Sequence, residues 1–198
     1  MRIIASMILF VCSCSFGMAL ADDFIKLKSG DATLFREHAT AILEFDYSHT
    51  EVSYETKSLF SNRTHIEEWD EEWDEYVSIA EKRFTNFFKK RNQTLNFVTD
   101  KSDAEYKLMV SFKNVDIYGR IDYDELNSIL NNGEEICVTL SGRMTIRKLN
   151  DDSKCVLTFS DIEGFDIDSI DMAFKEAYNG LAKELHKFIK EIEEAETL

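Results

Sequence analysis

HIEEWDEEWDEYVSIAEKRFTNFFKKR, residues His65–Arg91, sets its large apolar side chains three or four positions apart. Ile66, Trp69, Trp73, Tyr76, Val77, Phe84, Phe87 and Phe88 share one side, with Ala80 between them. That is the stripe of an amphipathic helix, which buries one face and wets the other. Thr64 and Glu67 make a capping box for its first amides. Acids crowd its first turns, from Glu67 to Glu75, and Lys82, Arg83, Lys89, Lys90 and Arg91 crowd its end. Both biases suit the helix dipole. Burial yields about 1.5–3 kcal/mol per large side chain, whereas ordering costs about 1–2 kcal/mol per backbone residue. The stripe therefore needs a sheet to share its burial.

That sheet is legible on both sides of the helix. Ala41–Tyr47 alternates, with Leu43, Phe45 and Tyr47 on one face, and Val52 and Tyr54 extend it past a bulge. Tyr106–Ile117 places Tyr106, Leu108, Val110 and Phe112 on one face, then switches phase to Val115 and Ile117, which predicts a bulge near Asn114. Ile136–Leu149 and Lys154–Ile162 read as a hairpin around Asn150–Ser153. A symmetric turn there opposes Ile146 to Leu157 and Met144 to Phe159, both apolar pairs. Phe24–Phe35 reads as a small edge hairpin turning at Ser29-Gly30-Asp31, and Asp122–Asn132 as a loop or short helix ended by Gly133. A second stripe, Ile170 to Ile192, predicts a final helix over Ser169–Glu193, capped by Asp168 or Ser169. The order β-α-β-β-β-α predicts an α+β fold: a two-layer sandwich in which a mixed sheet of about four main strands carries two long amphipathic helices on one face.

Residues 1–21 stand apart from this pattern. Arg2, the apolar run Ile3–Met18 and the A-x-A site Ala19-Leu20-Ala21 read as a secretory signal peptide, which leaves 22–198 as a single α+β domain. Val11-Cys12-Ser13-Cys14 also resembles a lipidation signal, with Cys14 as the acylated residue and the product anchored to the membrane. No later segment is apolar enough to span a bilayer. The net charge is −15, and Arg2 is the only charge within the signal. A field of that sign disfavours nucleic acid and anionic membranes. Export invites a disulfide between Cys137 and Cys155. The hairpin register instead sets them far apart on opposite faces, which predicts two free thiols.

The order of elements resembles a group of uncharacterised exported proteins of Gram-negative envelopes. The resemblance rests on Leu43-Glu44-Phe45-Asp46-Tyr47, on Asp100–Leu108, and on the hairpin end Asp161-Ile162-Glu163-Gly164. It is similar also to the N-terminal domain of TolB, to the lipoproteins that activate cell-wall synthases, and to the curli secretion lipoprotein. What the resemblance implies is a non-enzymatic binding or assembly role in the periplasm or at the cell surface, with no catalytic residues to carry over.

Candidate chemistry is sparse. There is no P-loop, no G-x-G-x-x-G, no G-x-S-x-G, no H-E-x-x-H and no cofactor motif. Asp161, Glu163 and Asp166, with Asp168 and Asp171, form the best metal candidate, of calcium type, although helix N-termini attract acids anyway. Trp69 and Trp73 can stack on a sugar, but at helical spacing they read as core. Asp122, Asp124 and Glu125 make a formal carboxylate group for a hydrolase, without fixed partners. Asn62-Arg63-Thr64 and Asn92-Gln93-Thr94 are glycosylation sequons, relevant only in a eukaryotic secretory pathway. The outer sheet face says more. Lys107, Ser111 and Lys113, then Thr139, Ser141, Arg143, Thr145 and Arg147, then Thr158 and Ser160 form a basic, hydroxylated stripe on an acidic protein. Lys107, Lys113, Arg143 and Arg147 are the candidate ligand-binding residues, for an envelope protein or an anionic glycan or peptide. A plain solvated sheet face is the competing reading. A carboxylate hydrolase and a small-ligand carrier with a cavity under the helices are the alternative functions.

Overall fold

A computed structural model describes residues 24–56, 66–92, 94–120, 135–167 and 169–195. The strands are β1 (Ile25–Gly30), β2 (Ala39–Asp46), β3 (Glu51–Thr56), β4 (Leu95–Phe97), β5 (Tyr106–Arg120), β6 (Glu135–Lys148) and β7 (Lys154–Asp166). The helices are α1 (Ile66–Arg91) and α2 (Ile170–Ala195). The seven strands form one sheet in the order β1-β7-β6-β5-β2-β4, with β3 beside the far half of β5. β2 and β3 both run parallel to β5, so they act as one strand interrupted at Tyr47–Thr50. β5, β6 and β7 form the expected antiparallel meander.

The sheet thus has seven strands rather than about four. β4 is only three residues long and pairs parallel to β2, too short to show a period. The N-terminal hairpin does not form. Ile25–Gly30 pairs antiparallel with β7 instead, as an edge strand. Gly30 then adopts φ 91°, and the Asp31 side chain accepts from the Thr33 amide at 2.9 Å. Together they turn the chain into a short 3-10 segment that buries Leu34 and Phe35. The β6–β7 register is also two residues off the symmetric expectation. Ile146 opposes Cys155, and Met144 opposes Leu157. A shift of two preserves every face, so both registers pair apolar with apolar. Cys137 and Cys155 are buried on opposite faces with no disulfide between them, and burial pushes the Cys155 thiol up to about 11.

Both helices lie on one face of the sheet. Phe45 of β2 meets Phe84 of α1 edge-on at 5.6 Å and Tyr178 of α2 at 6.2 Å. Trp73 packs edge-on to Phe174 at 5.6 Å and to Tyr47 at 6.2 Å, half-buried against the core as its helical spacing predicts. At Gly164 the α2 backbone at Ala173 and Ala177 comes so close that no side chain fits. Ser169 caps α2, its Oγ accepting from the Met172 amide at 3.3 Å. One polar chain crosses the core: Tyr178 Oη lies 2.7 Å from Tyr47 Oη, which donates to Glu81 Oε1 at 3.0 Å. Burial pushes the Glu81 carboxyl above its usual range, and the Tyr47 bond opposes this.

The signal peptide, the Thr64 cap, the Asn62 sequon, and the 121–134 segment with Asp122, Asp124, Glu125 and Gly133 lie outside the described residues. At the other sequon Asn92 is 7% exposed, and its Oδ1 accepts from the Thr94 amide at 2.8 Å, a poor glycosylation acceptor.

Candidate functional site on the outer sheet face

Two breaks in pairing line up across three adjacent strands. On β5, Phe112 opposes Gly142 and Asn114 opposes Ser141, so Lys113 is the extra residue. On β7, Phe159 opposes Gly142 and Ile162 opposes Leu140, so Ser160 and Asp161 together face Ser141. Asp161 takes φ 58° there, a left-handed conformation that aspartate tolerates better than most residues. Bulges bend and twist the strand that carries them. Two at the same level fold the outer face into a concavity of about 470 Å³.

Its lining sorts by chemistry. Lys28, Lys113 and Arg143 supply cations, and Ser111, Ser141, Thr158 and Ser160 supply hydroxyls. Gly142, Phe112 and Phe159 form the floor, and Asp46 and His49 stand on the β2 side. The side chains of Lys28, Lys113 and Arg143 are exposed and make no ion pair or hydrogen bond among the described residues. Asp46 is engaged: Oδ1 accepts from the Ser48 amide at 3.1 Å and its hydroxyl at 2.7 Å, and Oδ2 from Ser111 at 3.3 Å. The Ser48 bonds first, then Ser111, hold its carboxyl below the usual range. The site therefore carries three free cations facing one firmly ionised, hydrogen-bonded carboxylate. Such a set can clamp a carboxylate, sulfate or phosphate while meeting neighbouring hydroxyls.

The expected binding residues divide here. Lys113 and Arg143 come together in the concavity. Lys107 does not join them: it is ion-paired to Glu44, which Lys101 also approaches at 3.2 Å. Those partners, Lys107 foremost, hold the Glu44 carboxyl low. Arg147 is exposed on the same face, four residues along β6 from Arg143 and outside the concavity. Lys28, Asp46 and His49 went unrecognised in the sequence. Asp46 has a usable signal, its place on the polar phase of β2, whereas Lys28 lies on an edge strand whose partner β7 is more than a hundred residues away in sequence.

The acidic metal candidate does not assemble. β7 runs on through Asp166, so Asp161, Glu163 and Asp166 are strung along a strand at about 3.3 Å per residue. Glu163 Oε1 accepts from Tyr118 at 3.4 Å, and Asp166 Oδ1 accepts from the Ser169 amide at 2.9 Å. Asp171 is held by Ser169 and by Lys175 at 2.5 Å. Among the described residues no group of three His, Cys, Asp or Glu side chains is placed to hold a metal. A second concavity, about 640 Å³, lies between the ends of both helices, with His38, Arg91, Asn92, His186 and Lys190 in its wall. Burial, then Lys190 and Arg91, push His186 below its usual value. Cations at helix C-termini satisfy the dipole and need no ligand.

No protein-family model and no curated protein matches the chain. Several solved structures share its arrangement loosely. One is a Helicobacter pylori protein described as a homolog of a neuraminyllactose-binding hemagglutinin, 14% identical over 77% of this chain and 83% of that chain, TM-score 0.33. Two are crystal forms of the PelC dodecamer from Paraburkholderia phytofirmans. They are 13% and 12% identical, each over 82% of this chain, covering 96% and 95% of theirs, with TM-scores of 0.38 and 0.36. These neighbours are not the TolB domain, the synthase activators or the curli lipoprotein that the order of elements resembles. Overlap this low assigns no ligand and no role.

Proposed function

We propose that the protein is an exported, non-enzymatic binding module of the bacterial cell envelope whose outer sheet face takes an anionic ligand. One observation carries the reading: three unpaired cations surround a hydroxyl-lined concavity on a chain with 38 acidic residues and a net charge of −15. In so acidic a chain, cations left without partners at a bend in the sheet fit a ligand better than solvent alone. The signal-like residues 1–21 support export, and among the described residues no helix is long and apolar enough to cross a membrane. The rival readings have less behind them. The helix–sheet interior is filled by Phe45, Phe84, Phe112 and Tyr178, against a carrier cavity there. The Asp161–Asp171 carboxylates are dispersed, against a paired-acid hydrolase on that stretch.

The test is calorimetric titration with galacturonate, inorganic phosphate and an acetylated acidic dipeptide. At least one anion is expected to bind, and Arg143→Ser and Lys113→Ser are each expected to weaken it tenfold or more. No binding by any of them, or binding indifferent to both substitutions, overturns the reading.

A further inference from the structure

A second row of cations lies outside the concavity. Lys107, Arg147 and Lys154 are register partners on β5, β6 and β7, so three like charges stand side by side on the outer face. Directly opposed like charges destabilise a sheet. Lys107 is relieved by Glu44. The side chains of Arg147 and Lys154 are exposed and have no polar partner among the described residues. The first row, at the bulges, holds Lys113 and Arg143 and continues through Thr158 to Lys26 on β1. Arg143 and Arg147 are four residues apart on one strand, which separates the rows by about 13 Å at about 3.3 Å per residue.

What lies between the rows carries no cation and is largely apolar, Met109 and Val156 flanking the Thr145 hydroxyl, with Glu44 at its β2 end. Met109, Thr145 and Val156 are register partners there and all are half-buried. The outer face therefore reads cation row, largely apolar strip, cation row, with the Glu44 carboxylate at the β2 end of the strip held by Lys107 and Lys101, and with Ser141 and Thr158 hydroxyls beside the first row. Resting on the reading of the concavity as an anion site, we propose that this face is a track for a linear acidic polysaccharide. One acidic sugar sits in the concavity, the C–H face of the chain crosses Met109, Thr145 and Val156, and a further acidic sugar reaches Arg147 and Lys154. The spacing suits sparse charge. Duplex DNA carries a charge every ~1.7 Å, far denser than two cation rows about 13 Å apart can meet. Single strands need aromatic platforms, and the strip between the rows carries none.

The experiment titrates the protein with galacturonate and its linear hexamer, with neutral dextran, poly-glutamate and an oligothymidylate as further arms. The hexamer is expected to bind at least tenfold more tightly than the monomer. Arg147→Ser with Lys154→Ser removes that advantage and leaves monomer affinity unchanged, whereas Arg143→Ser weakens monomer and hexamer alike by tenfold or more. Hexamer affinity equal to that of the monomer, or untouched by the double substitution, overturns the track and leaves the concave site standing. Absence of monomer and hexamer binding together overturns both. Dextran, poly-glutamate or oligothymidylate binding as tightly as the hexamer overturns the assignment to an acidic polysaccharide. All three positions are exposed, so unfolding midpoints close to the parent's confirm that each variant is folded.

Discussion

Gly142 is where fold and site depend on one another, so Gly142→Ala is the most informative perturbation. A methyl group there would stand 2.8 Å from Phe159 Cζ and 3.0 Å from Phe112 Cα, and closer still to the Ser111 carbonyl oxygen. Two of those three atoms are β5 backbone held in the β5–β6 ladder, so they do not swing aside as a flexible side chain would. Relief requires β5 and β6 to part at the Phe112–Gly142 pair. Overpacking of this kind costs about 1–3 kcal/mol, and a loosened ladder hydrogen bond adds about 1 kcal/mol. With about 2–4 °C per kcal/mol for a domain of this size, the unfolding midpoint should fall by roughly 4–16 °C. Gly180 in α2 is the matched control. A Cβ there meets Ile162 Cγ2 at 3.4 Å and the Glu163 carbonyl at 3.6 Å, ordinary contacts. Gly180→Ala should therefore gain about 0.5–1 kcal/mol from helix propensity. Circular dichroism melts of both variants decide the matter, and anion binding by Gly142→Ala should weaken well below its melting range. An unchanged melt for Gly142→Ala, or a drop as large for Gly180→Ala, would refute the reasoning.

Three further outcomes follow from single contacts. Lys154→Glu sets an acid opposite Arg147, where cross-strand opposite charges contribute about 0.2–1 kcal/mol; its melt should rise slightly while its affinity for acidic polymer falls, and a fall in both would count against the pairing. Glu44→Gln frees Lys107 from its ion pair, so hexamer affinity should rise several-fold by calorimetry, and a loss of affinity would contradict Lys107 as a latent member of the row. Glu81 has a carboxyl raised by burial, so its stabilising contribution is largest below the ordinary carboxyl range and is lost as pH rises through the folded value. Glu81→Gln retains an oxygen for the Tyr47 hydroxyl without a buried charge. It should melt above the parent at neutral pH and gain nothing at acid pH, with melts at both pH values as the check.

The long periodic elements could be read from the sequence because burial on one face writes itself into residue spacing. Ile66–Arg91, Ile170–Ala195 and the β5–β7 meander stand where the 3.6- and 2-residue periods put them. β4 could not be read, because three residues do not establish a period. The two-residue register shift was invisible because Ile146 finds an apolar partner in Cys155 as readily as in Leu157. At the site, Lys113 and Arg143 were legible from alternation alone. Lys28, Asp46 and His49 arrive from other elements, and no local pattern reports which strands will neighbour one another. The loss of Lys107 to Glu44 has the same origin. It needed the parallel β2–β5 register, in which Glu44 opposes Met109, two residues along from Lys107 on the same outer face.

The two layers differ in charge balance: α2 carries six acids against four lysines, whereas the outer face sets Lys26, Lys28, Lys113, Arg143, Arg147 and Lys154 beside the engaged carboxylates Glu44, Asp46 and Glu163. Layers pack about 10 Å apart, comparable to the Debye length of about 8 Å at physiological salt. A polyanion far from the protein meets the net charge of −15, whereas one at the outer face meets mostly the local cations. Added salt then acts in opposite senses on the two halves of binding. It screens the distant repulsion and speeds encounter, and it weakens the close contacts and speeds release. Stopped-flow measurement with the acidic hexamer should show an association rate that holds or rises from low to physiological salt, while the dissociation rate climbs throughout. A track whose field dominated at all distances would instead show association slowing steeply from the lowest salt. That result would mean the acids of the helical layer do not reach the approaching ligand.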